Sequence, residues 1–224
     1  MLFICKNMNY SHIIWDFNGT ILNDIQTGID AVNILLSRYG KKTLDDVNYY
    51  KKMFCFPVID YYDSIGLERE NFETYAPEWF FEYSRLEPNA PIFDGVLDAL
   101  KFFKKSGFFQ CLLSATERSM LEKQAKRLGV FEYFDAIIGQ DTIEAHGKVG
   151  AAIEFFKKEI PKKALMIGDT IHDFEVAKAI GADCILLAWG HQDVERLEAT
   201  GCRVYNTITD VVNAFISGEI YDNN

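Results

Sequence analysis

"HIIWDFNGTILND" (residues 12–24) decides how the rest of the chain is read. Two isoleucines and a tryptophan run into Asp16, a Gly19-Thr20 turn follows, and an apolar pair comes next. β-branched and aromatic residues running into a glycine turn read as a buried strand. Such a strand delivers one carboxylate, Asp16, to its C-terminal tip. The next polar residue, Asn18, is an amide where a second acid could stand.

Four further apolar runs follow downstream: "FFQCLLS" (108–114), "FDAIIG" (134–139), "KALMIGD" (163–169) and "DCILLAW" (183–189). Between them, "VLDALKFFKKSG", "RSMLEKQAKRLG", "KVGAAIEFFKKE" and "DFEVAKAIGA" carry apolar residues at helical spacing, the first two stopping at a glycine. Strand–helix alternation at this spacing predicts a parallel sheet with helices on both faces. The stretch from 23 to 90 shows no strand pattern; it is helical in period, rich in aromatics, and closed by the proline-bearing "EPNAPIF" (87–93). The fold class expected is α/β: a parallel Rossmann-like sheet core with an inserted all-helical cap. Residues 1–22 and 91–224 would form the core domain, and 23–90 the cap domain.

Composition narrows the partners. The 224 residues carry a formal net charge of -10, which argues against nucleic acid, whose phosphates want Lys/Arg stripes. The five cysteines (Cys5, Cys55, Cys111, Cys184, Cys202) are scattered with no CxxC, neither a disulfide framework nor a zinc site. No segment approaches the roughly 20 apolar residues of a membrane span. "MLFICKNMNY" is too short and polar for a signal peptide, and the tail "SGEIYDNN" reads as a frayed end. The expectation is a cytoplasmic protein, monomer or homodimer, that meets a small molecule and neither nucleic acid nor membrane.

In open α/β sheets, reactive groups gather at the carboxyl ends of the strands. There this chain places Asp16, then Ser114 in "LLSAT", Lys148 in the "HGKVG" turn, and Asp169 and Asp173 in "GDTIHD". Singly, each has an ordinary role as a helix cap or a solvated charge. Together, three carboxylates crowded at one sheet edge repel unless a cation neutralises them, and oxygen donors suit Mg²⁺. A magnesium site is expected.

"DFNGT", "LLSAT", the "HGK" lysine and "GDTIHDFEVAKAIGAD" resemble, in order and spacing, the four motifs of the haloacid dehalogenase superfamily. The helical stretch after the first motif is similar to the cap of its phosphoglycolate-phosphatase-like branch. The resemblance implies a phosphatase acting on a small phosphorylated metabolite through an aspartyl-phosphate. Asp16 would be the nucleophile, Ser114 and Lys148 would hold the phosphoryl oxygens, and Asp169 and the residue-18 carbonyl would bind Mg²⁺. Asp173 would be a metal ligand or an acid behind one. Gly19, Thr20 and Ala115 would face the substrate, as would Phe56 and Pro57 of "MFCFPVIDYY". Trp189 and His191 would line the entrance.

Asn18 departs from that family's pattern, which has an Asp there to protonate the leaving oxygen and deprotonate water. General acid–base help is worth about 10²–10⁴-fold, so alkyl phosphates should suffer most, and Asn18→Asp should raise turnover. His172 and His12 are candidates to fill the role. Dehalogenase chemistry needs no such acid, but it works without Mg²⁺, and Asp169 and Asp173 then have less purpose. Phosphonate cleavage needs a cap lysine, and Lys41, Lys42, Lys51 and Lys52 read as solvated pairs. Mutase chemistry is disfavoured by Asn18, and a phosphometabolite-binding protein without turnover stands as the non-enzymatic alternative.

Overall fold

A computed structural model describes residues 10–140, 147–159 and 161–221. The N-terminal "MLFICKNMN", part of the turn before Lys148 and the last three residues of the tail lie outside the described residues.

Strand β1 (His12–Trp15) leads to a helical insertion, α1 (Ile25–Arg38), α2 (Val47–Met53), α3 (Val58–Ser64) and α4 (Phe72–Leu86). The core resumes with α5 (Val96–Lys105), β2 (Phe109–Glu117), α6 (Arg118–Arg127), β3 (Ala136–Gln140), α7 (Gly147–Lys158), β4 (Ala164–Gly168) and α8 (Ile171–Ile180). It ends with β5 (Asp183–Leu187), α9 (Val194–Glu198), β6 (Arg203–Tyr205) and α10 (Ile208–Ser217). Among the described residues, six strands form one sheet in the order β3-β2-β1-β4-β5-β6, with every pairing parallel. Strand β1 is therefore central, with β2 on one side and β4 on the other. That is where the strand order reverses and a crevice opens beyond the carboxyl ends.

The apolar run of β1 follows from this position. Ile13 and Trp15 enter one core cluster and Ile14 the other, each fully buried, as the two-residue period of a strand covered on both faces requires. Within the insertion, α1 packs on α4, and Arg38 joins them through Glu78 at 2.5 Å and the buried Glu82 at 2.8 Å. The two linkers to the core run side by side: Asn23 N–H donates to Pro91 O at 2.9 Å and Phe93 N–H to Ile21 O at 3.0 Å.

Two features differ from the sequence reading. Strand β2 continues past Ser114 to Glu117, with a register shift against β3 between Leu113 and Glu117. Strand β6, three half-buried residues at the sheet edge, was not anticipated. Among the described residues, no helix is long and apolar enough to cross a membrane.

Candidate active site

Asp16 follows β1 directly, and its N–H donates to Ile167 O at 2.9 Å, which keeps it in line with the end of β4. The chain then turns tightly, Ile21 and Leu22 N–H both reaching Phe17 O at 2.9 Å. Gly19 has φ +72° in this turn, and a Cβ there would lie 2.3 Å from Asp169 Oδ2. Gly190 packs as closely from the other side, where a Cβ would sit 2.2 Å from the same carboxylate. Two glycines thus make the slot that Asp169 occupies. Inside it, Oδ1 accepts from Thr20 Oγ1 at 3.0 Å and Oδ2 from His191 N–H at 2.7 Å.

Asp173 lies in the first turn of α8. Its Oδ2 accepts from Asp169 N (3.1 Å), Thr170 N (3.0 Å) and Thr170 Oγ1 (2.8 Å), closing a capping box. Its Oδ1 faces Lys148 Nζ at 2.5 Å, and the same ammonium bonds Asp16 Oδ1. Oxygens of Asp16, Asp169 and Asp173 all lie within 4.8 Å of one another, and all three residues are buried.

Burial pushes the Asp16 carboxyl well above its ordinary 3.8; Lys148 opposes the rise, while Asp173 and Asp169 add to it. Burial likewise raises Asp169 to about 6, against the pull of His191 and with the push of Asp173. For Asp173 burial acts the same way, but Lys148 and the Thr170 bonds outweigh it and hold the carboxyl below its ordinary value. Burial works against the Lys148 ammonium too, and its two carboxylate partners overcome that and raise it. One ammonium against three buried carboxylates leaves negative charge in excess. The donors fit a hard divalent cation: they are oxygens, close together, and short of positive charge.

Ser114 is buried within β2 rather than at its tip. Its hydroxyl donates to Thr116 Oγ1 at 3.1 Å and accepts from Thr116 N–H at 3.1 Å. It is not the cap of the following helix; Glu117 is, accepting from Ser119 N and Met120 N.

A profile of the haloacid dehalogenase-like hydrolases matches residues 13–187, which takes in Asp16, Ser114, Lys148, Asp169 and Asp173. The chain belongs to the haloacid dehalogenase-like hydrolases. It is 23% identical over 189 residues to phosphoglycolate phosphatase 1 of Pseudomonas aeruginosa, covering 80% of this chain and 70% of that one. In structure it is similar to a haloacid dehalogenase-like hydrolase from Streptococcus pneumoniae (TM-score 0.81, 19% identity, 92% of this chain and 99% of that chain). It is also similar to Protein Tyrosine Kinase A of Mycobacterium tuberculosis (TM-score 0.76, 19% identity, 93% and 99%). One fold carries both names, so it does not fix the chemistry.

A second buried network lies around residue 18. The Asn18 amide donates to Asp24 Oδ2 at 2.9 Å and to the Tyr83 hydroxyl of α4 at 2.8 Å, and its Oδ1 accepts from Thr116 Oγ1 at 3.4 Å. Asp24 is buried and also accepts from Tyr83 OH (2.6 Å), Gly19 N (2.9 Å) and His191 Nε2 (3.2 Å). Tyr50 of α2 pairs with His191 Nδ1 at 2.7 Å. Burial works against both charged partners, yet their attraction outweighs it: Asp24 falls below its ordinary value, and His191 rises from 6.5 to about 9. This buried ion pair was missed from sequence. Asp24 sits where an α1 cap belongs but makes no side-chain cap bond, and its partners stand 59 and 167 positions away.

Other expected residues are placed as follows. The Phe56 ring lies 5.0 Å from that of His172 at the start of α8, and Pro57 follows through a cis bond. Thr20 and Gly19 are in the Asp169 slot, and Ala115 is next to Ser114 on β2. His191 is not at an entrance; it is buried inside the network, and Trp189 stacks on Phe93 at 4.3 Å. Lys51 is not solvated: its ammonium donates to Ala188 O (3.2 Å) and Trp189 O (3.0 Å), and burial lowers its pKa. His12 lies at the opposite end of β1 from Asp16, beside Glu159.

Proposed function

We propose that this enzyme is a Mg²⁺-dependent phosphatase of the cytoplasm that hydrolyses a small phosphorylated metabolite through an aspartyl-phosphate on Asp16. The observation that carries the reading is the buried cluster of Asp16, Asp169 and Asp173 with Lys148 between two of its members. Asp16, Asp169 and the residue-18 carbonyl would hold the cation, with Asp173 behind them fixing Lys148. When bound, Mg²⁺ supplies charge that keeps the carboxylates ionised and offsets the negative charge of a phosphoryl group.

Asp16 attacks phosphorus in line with the leaving oxygen. Phosphoryl transfer asks mainly for positioning and charge neutralisation around the equatorial oxygens. Lys148 provides one positive charge, the Ser114 hydroxyl one donor, and the Ala115 region a backbone amide, while Gly19 and Thr20 shape the turn beside it. The covalent step divides hydrolysis into two easier displacements. The helical insertion of residues 23–90 acts as a cap domain on the core of residues 1–22 and 91–224, with Phe56 and Pro57 at its lip, and excludes water. Lys51 is in this cap, but its ammonium is fixed by two carbonyls, an arrangement unlike the free amine that phosphonate cleavage needs.

The test is phosphate release from a panel of phosphorylated metabolites, with Mg²⁺ and with a chelator. Release that needs Mg²⁺ and is lost in Asp16→Asn supports the reading. A protein that binds Mg²⁺ and phosphate yet releases nothing from any panel member is a binding protein instead.

A further inference from the structure

Strand β6 pairs with β5 so that Arg203 stands opposite Ile185. One step back along that register brings Cys202 opposite Cys184. Neighbouring strands lie about 4.8 Å apart, inside the Cα separation of about 4.4–6.8 Å that a disulfide accepts. Both thiols are free and both residues are half-buried; the Cys184 Sγ donates to Ile185 O at 3.8 Å, and each thiol shifts the other's titration. Both line a cavity of about 440 Å³ whose wall includes Lys163, Lys178 and Arg203, so a small oxidant has a route to them.

We propose that Cys184 and Cys202 are a redox-active dithiol that closes reversibly to a disulfide under peroxide. The pairing is invisible to cysteine spacing, because 17 residues separate the two and the register of an edge strand brings them together.

The partners are unequal. Neighbouring Cys184, helped by Thr200 against burial, pushes the Cys202 thiol down to about 6, while Cys202 and burial push Cys184 up. Cys202, the thiol whose pKa is lowered, is the nucleophile of the pair. Its sulfur attacks one oxygen of hydrogen peroxide; an S–O bond forms, the O–O bond breaks, and the departing hydroxide leaves as water after taking a proton. The sulfenic acid so formed is attacked by Cys184 sulfur, the S–O bond breaks, and hydroxide takes the Cys184 proton as a second water. Two thiols lose two electrons, and one peroxide becomes two waters.

The closed loop would hold a particular segment. Residues 185–201 contain His191, which bonds Asp24 and Tyr50, and Gln192, which bonds Phe54 O. They also contain Arg196, which bonds carbonyls at the end of α2, and the Ala188 and Trp189 carbonyls that hold Lys51. A disulfide would therefore brace the segment on which the helical insertion rests.

The test treats the full chain with hydrogen peroxide and maps its peptides without reductant. The expected result is one peptide pair joined through Cys184 and Cys202, lost on adding dithiothreitol. A rise in melting temperature of about 5–10 °C should accompany it. In Cys184→Ser, a dimedone-type probe should capture the sulfenic acid at Cys202. In Cys202→Ser neither product should form. Oxidation of Cys202 in the wild-type chain without the link, a link through any other cysteine, or no reaction in excess peroxide would each overturn the proposal.

Discussion

Asn18 at the residue scale is less a missing acid than a donor with two acceptors. Replacing it with Asp would set a second carboxylate at the 2.9 Å position now held by its amide against Asp24, whose charge the His191 partner maintains. Two carboxylates at that distance cannot both stay ionised, so they share a proton and titrate as a pair. The structure therefore changes what the sequence leads one to expect of Asn18→Asp. Alone, it should improve turnover little; combined with Asp24→Asn, which returns a donor to the pair, it should gain about 10²-fold. Steady-state rates should show the gain to be larger for alkyl than for aryl phosphates. Equal rates in the single and double variants would mean that Asp24 does not restrain position 18. The ion pair also leaves a mark on stability. His191 has a folded pKa above its unfolded 6.5, so its contribution is complete below 6.5 and disappears as pH rises through about 9. The shift corresponds to roughly 3 kcal/mol. The melting-temperature gap between wild type and His191→Gln should accordingly be widest near about pH 6 and close by about pH 10.

At the scale of elements, the insertion is docked by backbone carbonyls rather than by apolar area alone. Arg196 Nη1 donates to Lys52 O at 3.2 Å and Phe54 O at 2.7 Å, a cation at the C-terminus of α2, where the helix dipole favours one. Arg196→Ala should cost about 1–2 kcal/mol. It should speed hydrogen exchange in α2 and the 54–57 loop while leaving β1 and β4 protected. Uniformly faster exchange across the sheet would point instead to a general loss of packing. What was legible in sequence divides along the same line. The central strands were readable because burial on both faces demands unbroken apolar runs such as Ile13-Ile14-Trp15. Asp16 and Asp169 could be placed at one edge because each directly follows such a run. Strand β6 was not readable, since three half-buried edge residues carry little pattern. Nor was the end of β2, where Ala115 and Thr116 are small or polar. The partnership of Asp24 with Tyr83 and His191 joins positions that only the packed insertion brings together. Lys51 was misread because a Lys-Lys pair looks solvated until a strand-end carbonyl is found above one member.

For the whole molecule, a net charge of -10 and a buried carboxylate cluster would make the proposed metal and protons competitors for the same oxygens. Asp169 has a folded pKa of about 6, above its unfolded 3.8. The sign follows directly: the stability that this protonated carboxyl contributes is complete below 3.8 and is lost as pH rises through about 6. Asp16, raised for the same reason of burial, acts in the same direction. Without metal, then, the cluster weighs most heavily on the fold above pH 6, where the carboxylates are forced to ionise together. A cation that binds only the folded chain relieves that repulsion, and its effect grows with its excess over Kd. At roughly 100-fold excess the gain is about 2.7 kcal/mol, or a rise of about 5–10 °C in melting temperature for a chain of this size. Calorimetry with Mg²⁺ and with chelator should show most of that rise at about pH 8 and little at about pH 5, where protons already neutralise the site. Asp169→Asn should abolish the Mg²⁺ response at both pH values and leave the chelated protein no less stable at pH 8 than wild type, because it removes one of the crowded charges. A Mg²⁺ response that stays constant across this pH range would mean the ion binds somewhere other than the Asp16–Asp169–Asp173 cluster.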